Sequence, residues 1–326
     1  MRKYEYYKPE TIKEAIDLME TLEGATYIAG GTDVMVLMRQ KKLTPKNLIS
    51  LRNIQNLAYI DSKNGLRFGS ATTHNEIERD DVIRTHYSAL NDATSNLGSI
   101  QIRNVATIGG NICNAAPSAD TACPLLVLDA KVVVAGPKGE RAVNIDDFFL
   151  GPGKTVLQRG ELVKEFAIPF FGDNTGSAYI KHTRRKAMDL PIIGVAARIT
   201  ISIGKNGGEL RCKDMLCTID SISNVLSRFE DEELRCEDVR IAMGVVAPRP
   251  IRAKKAEEAL KGKVISEKVF EEISEIAASE ASPRDSIRGE AWYRREMVKV
   301  LTKRAIMRSI DRIIRPDDTI YPERLW

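Results

Sequence analysis

Gly98-Ser-Ile-Gln-Ile-Arg-Asn-Val-Ala-Thr-Ile-Gly-Gly-Asn111, continued by Ile112-Cys-Asn-Ala-Ala-Pro-Ser-Ala-Asp120, is the stretch on which the reading of this chain turns. It reads as alternating apolar backbone broken by a glycine pair and followed by small polar residues. Adjacent glycines let peptide N–H groups approach a ligand's phosphate oxygens. A second pair lies upstream in Tyr27-Ile-Ala-Gly-Gly-Thr-Asp-Val34, between a helical segment and an apolar run. Two such turns would hold the two phosphates of a dinucleotide from opposite sides, although plain structural turns satisfy the same pattern. Neither turn carries the Gly-x-Gly-x-x-Gly spacing, and no Gly-x-x-x-x-Gly-Lys-Ser/Thr is present, so a Rossmann fold and a P-loop nucleotide hydrolase are both unsupported.

Working outward, Pro9–Glu20 is expected as a helix with Ile12, Ala15, Ile16 and Met19 on one face, after a short strand at 4–9 and before a strand at Thr26–Ile28. Val34–Arg39 reads as helical or extended, and Asn47–Leu51 as a buried apolar run. From Leu57 the pattern changes to short strands, Leu57–Ile60 and Leu66–Gly69. Thr73 then caps a helix with Glu76 three residues on, and a longer helix is expected over Val82–Leu97. Leu125–Ala130 predicts a helix, residues 131–139 a hairpin, and Leu162–Pro169 a strand. Strand-like runs at Ser177–Lys181, Val195–Ile203 and Arg240–Ala247 precede helices at Ile251–Leu260, Ser266–Ser279 and Glu290–Ile314.

The wording around the glycine pairs resembles the flavoprotein (medium) subunit of the molybdenum hydroxylases, the relatives of xanthine dehydrogenase, carbon monoxide dehydrogenase and 4-hydroxybenzoyl-CoA reductase. The resemblance rests on Ala29-Gly-Gly-Thr-Asp33, the Gly98–Asn111 run, Pro117-Ser-Ala-Asp120, Lys181-x-x-x-Arg185 with Asp189, and Gly244-x-Val-Ala-Pro-x-Pro-x-Arg252. It implies an α+β fold: a two-lobed FAD-binding domain of the vanillyl-alcohol-oxidase/PCMH type (residues 1–55 and 56–175), then an α+β C-terminal domain of antiparallel sheet and helices (176–295), then a helix and tail (296–326).

The same resemblance implies non-covalent FAD in the cleft between the two lobes. Ile28, Ala29, Gly30, Gly31, Thr32, Asp33 and Val34 would run along the adenine side and the pyrophosphate. Thr107, Gly110 and Asn111 would hold the second phosphate and ribityl chain, and Asp120 would accept from a hydroxyl, as an acceptor-only group suits a polyol. Leu97 and Val163 would flank the isoalloxazine ring, and Lys181 would lie near the cofactor. Each has a plain alternative: a turn cap for Asp120, a solvated strand lysine for Lys181, core packing for Leu97 and Val163.

No catalytic side chain and no metal site on this chain are implied. Molybdopterin and 2Fe–2S clusters are expected on partners, a small iron–sulfur subunit and a large molybdopterin subunit forming a heterotrimer, with NAD as a candidate acceptor. A self-sufficient FAD-dependent oxidase or dehydrogenase, or a non-flavin interaction module on the same fold, are the alternative classes.

Composition agrees. The chain has 326 residues, 43% hydrophobic and 29% charged, too long for one ordinary core. A net charge of +4, with both signs mixed along the chain, argues against nucleic-acid binding. No run is long enough for a membrane span and the N-terminus lacks a signal pattern, so a cytoplasmic protein is expected. Five cysteines suit a reducing compartment. The chain departs from the family pattern at residues 205–231, an insert that brings Cys212 and Cys217 ahead of Cys236. Three thiols are one short of the usual cluster set, so structural or free thiols are expected. His74, His86 and His182 are too dispersed to form a metal motif.

Overall fold

The computed structural model describes residues 3–185, 187–203 and 234–316. The insert and its Cys212 and Cys217 therefore lie outside the described residues, as do Tyr321, Leu325 and Trp326 of the tail.

The chain opens with β1 (Glu5–Tyr7), α1 (Ile12–Thr21), β2 (Ala25–Ile28), α2 (Val34–Arg39) and β3 (Asn47–Ser50). The three strands pair in parallel in the order β1-β3-β2. Helix α1 begins later than Pro9 because the Thr11 hydroxyl accepts from the Glu14 N–H and caps it. Its apolar stripe, Ala15, Ile16 and Met19, is buried against Ile49, Leu51 and Leu57.

A five-stranded antiparallel sheet follows, built from β4 (Ile60–Asp61), β5 (Leu66–Gly69) and, after the helices α3 (His74–Arg79), α4 (Asp81–His86), α5 (Ser88–Ser95), α6 (Ile100–Arg103), α7 (Ile108–Cys113) and α8 (Ala122–Val127), from β6 (Lys131–Gly136) and β7 (Gly139–Asn144). Helix α9 (Ile145–Phe148) and the small ladder β8 (Phe149–Gly151) and β9 (Lys154–Thr155) lead to β10 (Leu162–Ile168), which takes the centre of the order β4-β5-β10-β6-β7.

Two expectations here are corrected. Leu57 ends a 3₁₀ turn over Gln55–Leu57, and only Ile60–Asp61 pairs as a strand. The long helix is two, because Tyr87 leaves helical geometry (φ −126°, ψ 42°) to bury its ring in the core, its hydroxyl donating to the Pro169 carbonyl at 3.3 Å. The alternating run that leads to Gly109-Gly110 forms a short helix. Ser99 caps α6 through the Ile102 N–H, and the glycine pair itself lies inside α7, capped by Thr107.

The third sheet has the antiparallel order β11-β12-β13-β14, with β11 (Thr175–His182), β12 (Ile193–Ile203), β13 (Leu234–Gly244) and β14 (Ile251–Arg252). The helix expected from Ile251 begins after β14, as α10 (Lys254–Leu260), followed by α11 (Glu267–Glu280) and α12 (Ala291–Ile314). Alternation along β12 sets its two sides: Ile193, Val195, Ala197, Ile199 and Ile201 meet the core shared with α10, α11 and α12. Ala196, with Ala242 and Tyr179, faces the core of the five-stranded region. Small residues permit this approach, since a Cβ on Gly244 would lie 3.1 Å from the Cys123 sulfur. Arg312 of α12 ties the two regions with a buried bidentate pair to Asp92 of α5, both contacts 2.7 Å.

Cys236 is a buried free thiol in β13, and Cys113 and Cys123 are also unbridged. No helix among the described residues is long and apolar enough to cross a membrane. Nor do the described residues gather a His, Cys, Asp and Glu group able to hold a metal.

Candidate functional site

The turn after β2 packs directly on the segment before α7. A Cβ on Gly30 would overlap the Val105 carbonyl and crowd the Ala106 Cα, so only glycine fits, and Gly31 adopts φ +74°, the left-handed region that favours glycine. The two glycine-bearing segments thus meet on one wall of a cavity of about 580 Å³, a size typical of ligand sites.

Thirteen of the fourteen residues singled out from sequence line this cavity: Ala29, Gly30, Gly31, Thr32, Asp33, Val34, Leu97, Thr107, Gly110, Asn111, Asp120, Val163 and Lys181. Ile28 does not. Its side chain is buried with Met38 and Leu48, beneath the turn. The cavity is not confined to two lobes, because Lys181 of β11 and Met188, Asp189 and Leu190 of the following loop close one end.

The backbone donors are distributed unevenly. In the first turn the N–H groups of Gly30, Gly31, Thr32, Asp33 and Val34 donate to no other described residue. In the second segment each donor is used: Ile108 N–H to Thr72 O, Gly109 N–H to Ser70 O, Gly110 N–H to Thr107 Oγ1 and Asn111 N–H to Thr107 O. The picture of two opposed amide cradles is therefore corrected to one. The second segment presents side-chain donors, the Thr107 hydroxyl and the amide of Asn111, whose Oδ1 is fixed by the Thr121 hydroxyl at 2.7 Å.

Asp120 is buried and doubly held. The Tyr179 hydroxyl donates to Oδ1 at 3.0 Å and Lys181 Nζ to Oδ2 at 2.8 Å, while Lys181 also donates to the Asn96 carbonyl at 3.0 Å. Burial pushes the Asp120 carboxyl above its ordinary range, offset in part by Lys181 and Tyr179. Burial and Asp120 together push the Tyr179 hydroxyl well up, so it stays a donor. Asp33, beside the free amides, is likewise raised by burial.

Among the described residues of the cavity wall Lys181 is the one lysine or arginine, and it is paired with Asp120 at 2.8 Å. An anion seated here would be met chiefly by amide dipoles, which is the arrangement a pyrophosphate accepts. The residues present therefore fit a dinucleotide. Above Gly110 the wall is open, since a Cβ there would meet only Thr107 Oγ1, at 3.0 Å.

Sequence reasoning passed over Tyr179 and His74. Tyr179 was within reach, because positions two apart on the Ser177–Lys181 strand share a face with Lys181. His74 was not, because its place on the cavity wall comes from the tertiary bridge between Thr73 and Thr107.

The pattern of the family described as FAD binding domain in molybdopterin dehydrogenase matches residues 2–171, and that of the CO dehydrogenase flavoprotein C-terminal domain matches residues 220–309. The chain is 34% identical to the xanthine dehydrogenase FAD-binding subunit of Escherichia coli O157:H7 over 94% of its own length and 95% of the relative's. It is 30% identical to the glyceraldehyde dehydrogenase medium chain of Sulfolobus acidocaldarius, covering 93% and 96%. Among solved structures it superposes on carbon monoxide dehydrogenase from Hydrogenophaga pseudoflava with a TM-score of 0.82 at 27% identity, covering 95% of this chain and 98% of that one. An α+β fold of FAD-binding domain plus C-terminal domain and a cavity walled by glycine turns define a flavoprotein subunit. This chain belongs to the FAD-binding (medium) subunits of the molybdenum hydroxylases, and is an oxidoreductase subunit.

Proposed function

We propose that the cavity seats one non-covalently held FAD and that the chain is the electron relay of a three-subunit molybdenum hydroxylase. Electrons arrive from 2Fe–2S clusters on a small partner, and leave to an external acceptor such as NAD, while the organic substrate is handled by a large molybdopterin partner. The observation that carries this reading is the run of five amide donors from Gly30 to Val34 with no partner among the described residues. Five consecutive N–H groups left open on the wall of a cavity form a donor surface suited to an anionic ligand.

When bound, FAD supplies exchange between one-electron donors and a two-electron acceptor. The chain's own residues do the positioning. Gly30 to Val34 receive the pyrophosphate, the Thr107 hydroxyl and Asn111 amide donate to the same group or to the ribityl chain, and Asp120 accepts from a hydroxyl. Leu97 and Val163 offer apolar walls for the ring, and Tyr179 with Lys181 holds Asp120 in place.

The test is the visible spectrum of the purified chain after incubation with FAD and removal of excess. One flavin per chain is expected, with no bleaching by organic substrates in the absence of partners and bleaching by NADH if NAD is the acceptor. A colourless chain contradicts the FAD reading, and substrate-dependent bleaching of the isolated chain contradicts the relay.

A further inference from the structure

Tyr179 of β11 lies behind the cavity wall rather than on it. It is 3% exposed, its ring is buried in the core that also holds Ala196 and Ala242, and its hydroxyl donates to Asp120 Oδ1 at 3.0 Å. Room for that hydroxyl comes from Gly194 of β12, where a Cβ would lie 2.4 Å from the Tyr179 oxygen and 2.9 Å from two ring carbons. The backbone is pinned as well: the Tyr179 N–H donates at 2.9 Å to Oδ2 of Asp92, the carboxylate that Arg312 also holds. The phenol is therefore fixed both by its own main chain and by the strand beside it.

Asp120 does line the cavity, and its protonation state decides what it offers there. An ionised carboxylate only accepts, whereas a protonated one carries a hydrogen of its own and competes with a ligand hydroxyl as donor. Among the described residues the charged or titratable groups that face it are Lys181 and Tyr179 from β11 and the Cys123 thiol from α8, which burial and Asp120 itself push up and keep neutral. Burial favours the protonated carboxyl, and the bonds from Lys181 and Tyr179 oppose it. Without the Tyr179 donor the carboxyl would take up its proton at a higher pH.

We infer that Tyr179, admitted by the bare Gly194, is the positioning residue that keeps Asp120 an acceptor for a hydroxyl of the dinucleotide and thereby sets the acid limit of FAD binding. The inference rests on the FAD reading and goes beyond it by assigning that limit to a side chain behind the wall.

The test measures FAD affinity, by quenching of flavin fluorescence, between about pH 5 and 8 for the unaltered chain, Tyr179→Phe, Asp120→Asn and the double variant. Tyr179→Phe keeps the buried ring and should lose about threefold to tenfold in affinity at neutral pH, with its decline on acidification beginning at a higher pH than in the unaltered chain. Asp120→Asn cannot ionise, so the part of the decline that Asp120 causes should vanish, and adding Tyr179→Phe to it should change affinity by less than about twofold. Gly194→Ala, whose methyl would push the hydroxyl off Asp120, should move the acid decline in the same direction as Tyr179→Phe and replaces it if that variant does not fold. An acid decline unmoved in either variant, or an equal loss from Tyr179→Phe with and without the Asp120 carboxyl, overturns the inference. Absence of FAD binding by the unaltered chain at every pH overturns the FAD reading instead.

Discussion

Gly30 and Gly110 look alike in the sequence and differ in what surrounds them. A side chain at Gly30 would strike the Val105 carbonyl, whereas one at Gly110 would enter the cavity with little protein in its way. Gly30→Val should therefore lower both stability, by about 1–3 kcal/mol, and flavin content. Gly110→Val should melt within a few degrees of the parent yet purify with much less flavin. Absorbance and thermal melts on the two variants separate these outcomes.

His74 makes a further residue-scale prediction. Its folded pKa of about 4 lies below the unfolded value near 6.5, so the unfolded chain takes up the proton first and stability falls as pH drops between the two. The FAD-free chain should lose about 3 kcal/mol over that window relative to His74→Leu, which lacks the group. Equal pH dependence in denaturant titrations of the two would count against a buried neutral imidazole. At this scale all but one of the residues named from sequence line the cavity, because glycine pairs and acceptor or donor side chains sit in short contiguous motifs. Ile28 was mistaken for a wall residue because strand alternation turns its side chain to the opposite side of the backbone from the turn that follows.

Among the elements, α12 and α5 are joined through Arg312 and Asp92, buried together with the Ser177 carbonyl 2.7 Å from the guanidinium. Burial opposes ionisation of Asp92, but Arg312, Arg308 and the Tyr179 N–H outweigh it and hold the carboxyl below its ordinary range. A depressed carboxyl stabilises the fold above the unfolded pKa near 4, and that contribution disappears as pH falls through the folded value. Arg312→Met leaves Asp92 buried with its principal cation removed and should cost about 3–5 kcal/mol at neutral pH. Its acid sensitivity below about pH 4 should be weaker than the parent's. Urea unfolding at several pH values measures both.

Element types were legible where a cap or an alternation announced them, as with Thr73 and Glu76, whose capping box is present. They were misread where tertiary packing decided. Tyr87 breaks a helix to bury its ring in the core.

For the whole molecule, the five-stranded region and the C-terminal sheet share a core through Tyr179, Ala196 and Ala242, and the cavity draws residues from all three sheets' neighbourhoods. Ligand binding should then stabilise the chain as one unit. FAD at a hundredfold excess over its dissociation constant should add about 2.7 kcal/mol, seen as a single melting transition moved upward. Two transitions, of which FAD moves only one, would contradict the shared core. The sequence motifs gave the cleft, its cofactor class and Lys181 of the C-terminal sheet, but not Met188 and Leu190 of the loop after β11, which tertiary packing brings to the same wall.

The most direct test is a crystal structure of the chain with FAD. The account predicts the pyrophosphate oxygens within hydrogen-bond distance of the N–H groups of Gly30 to Val34. A pyrophosphate lying elsewhere, with those five amides bonded to water or left unpaired, would contradict it.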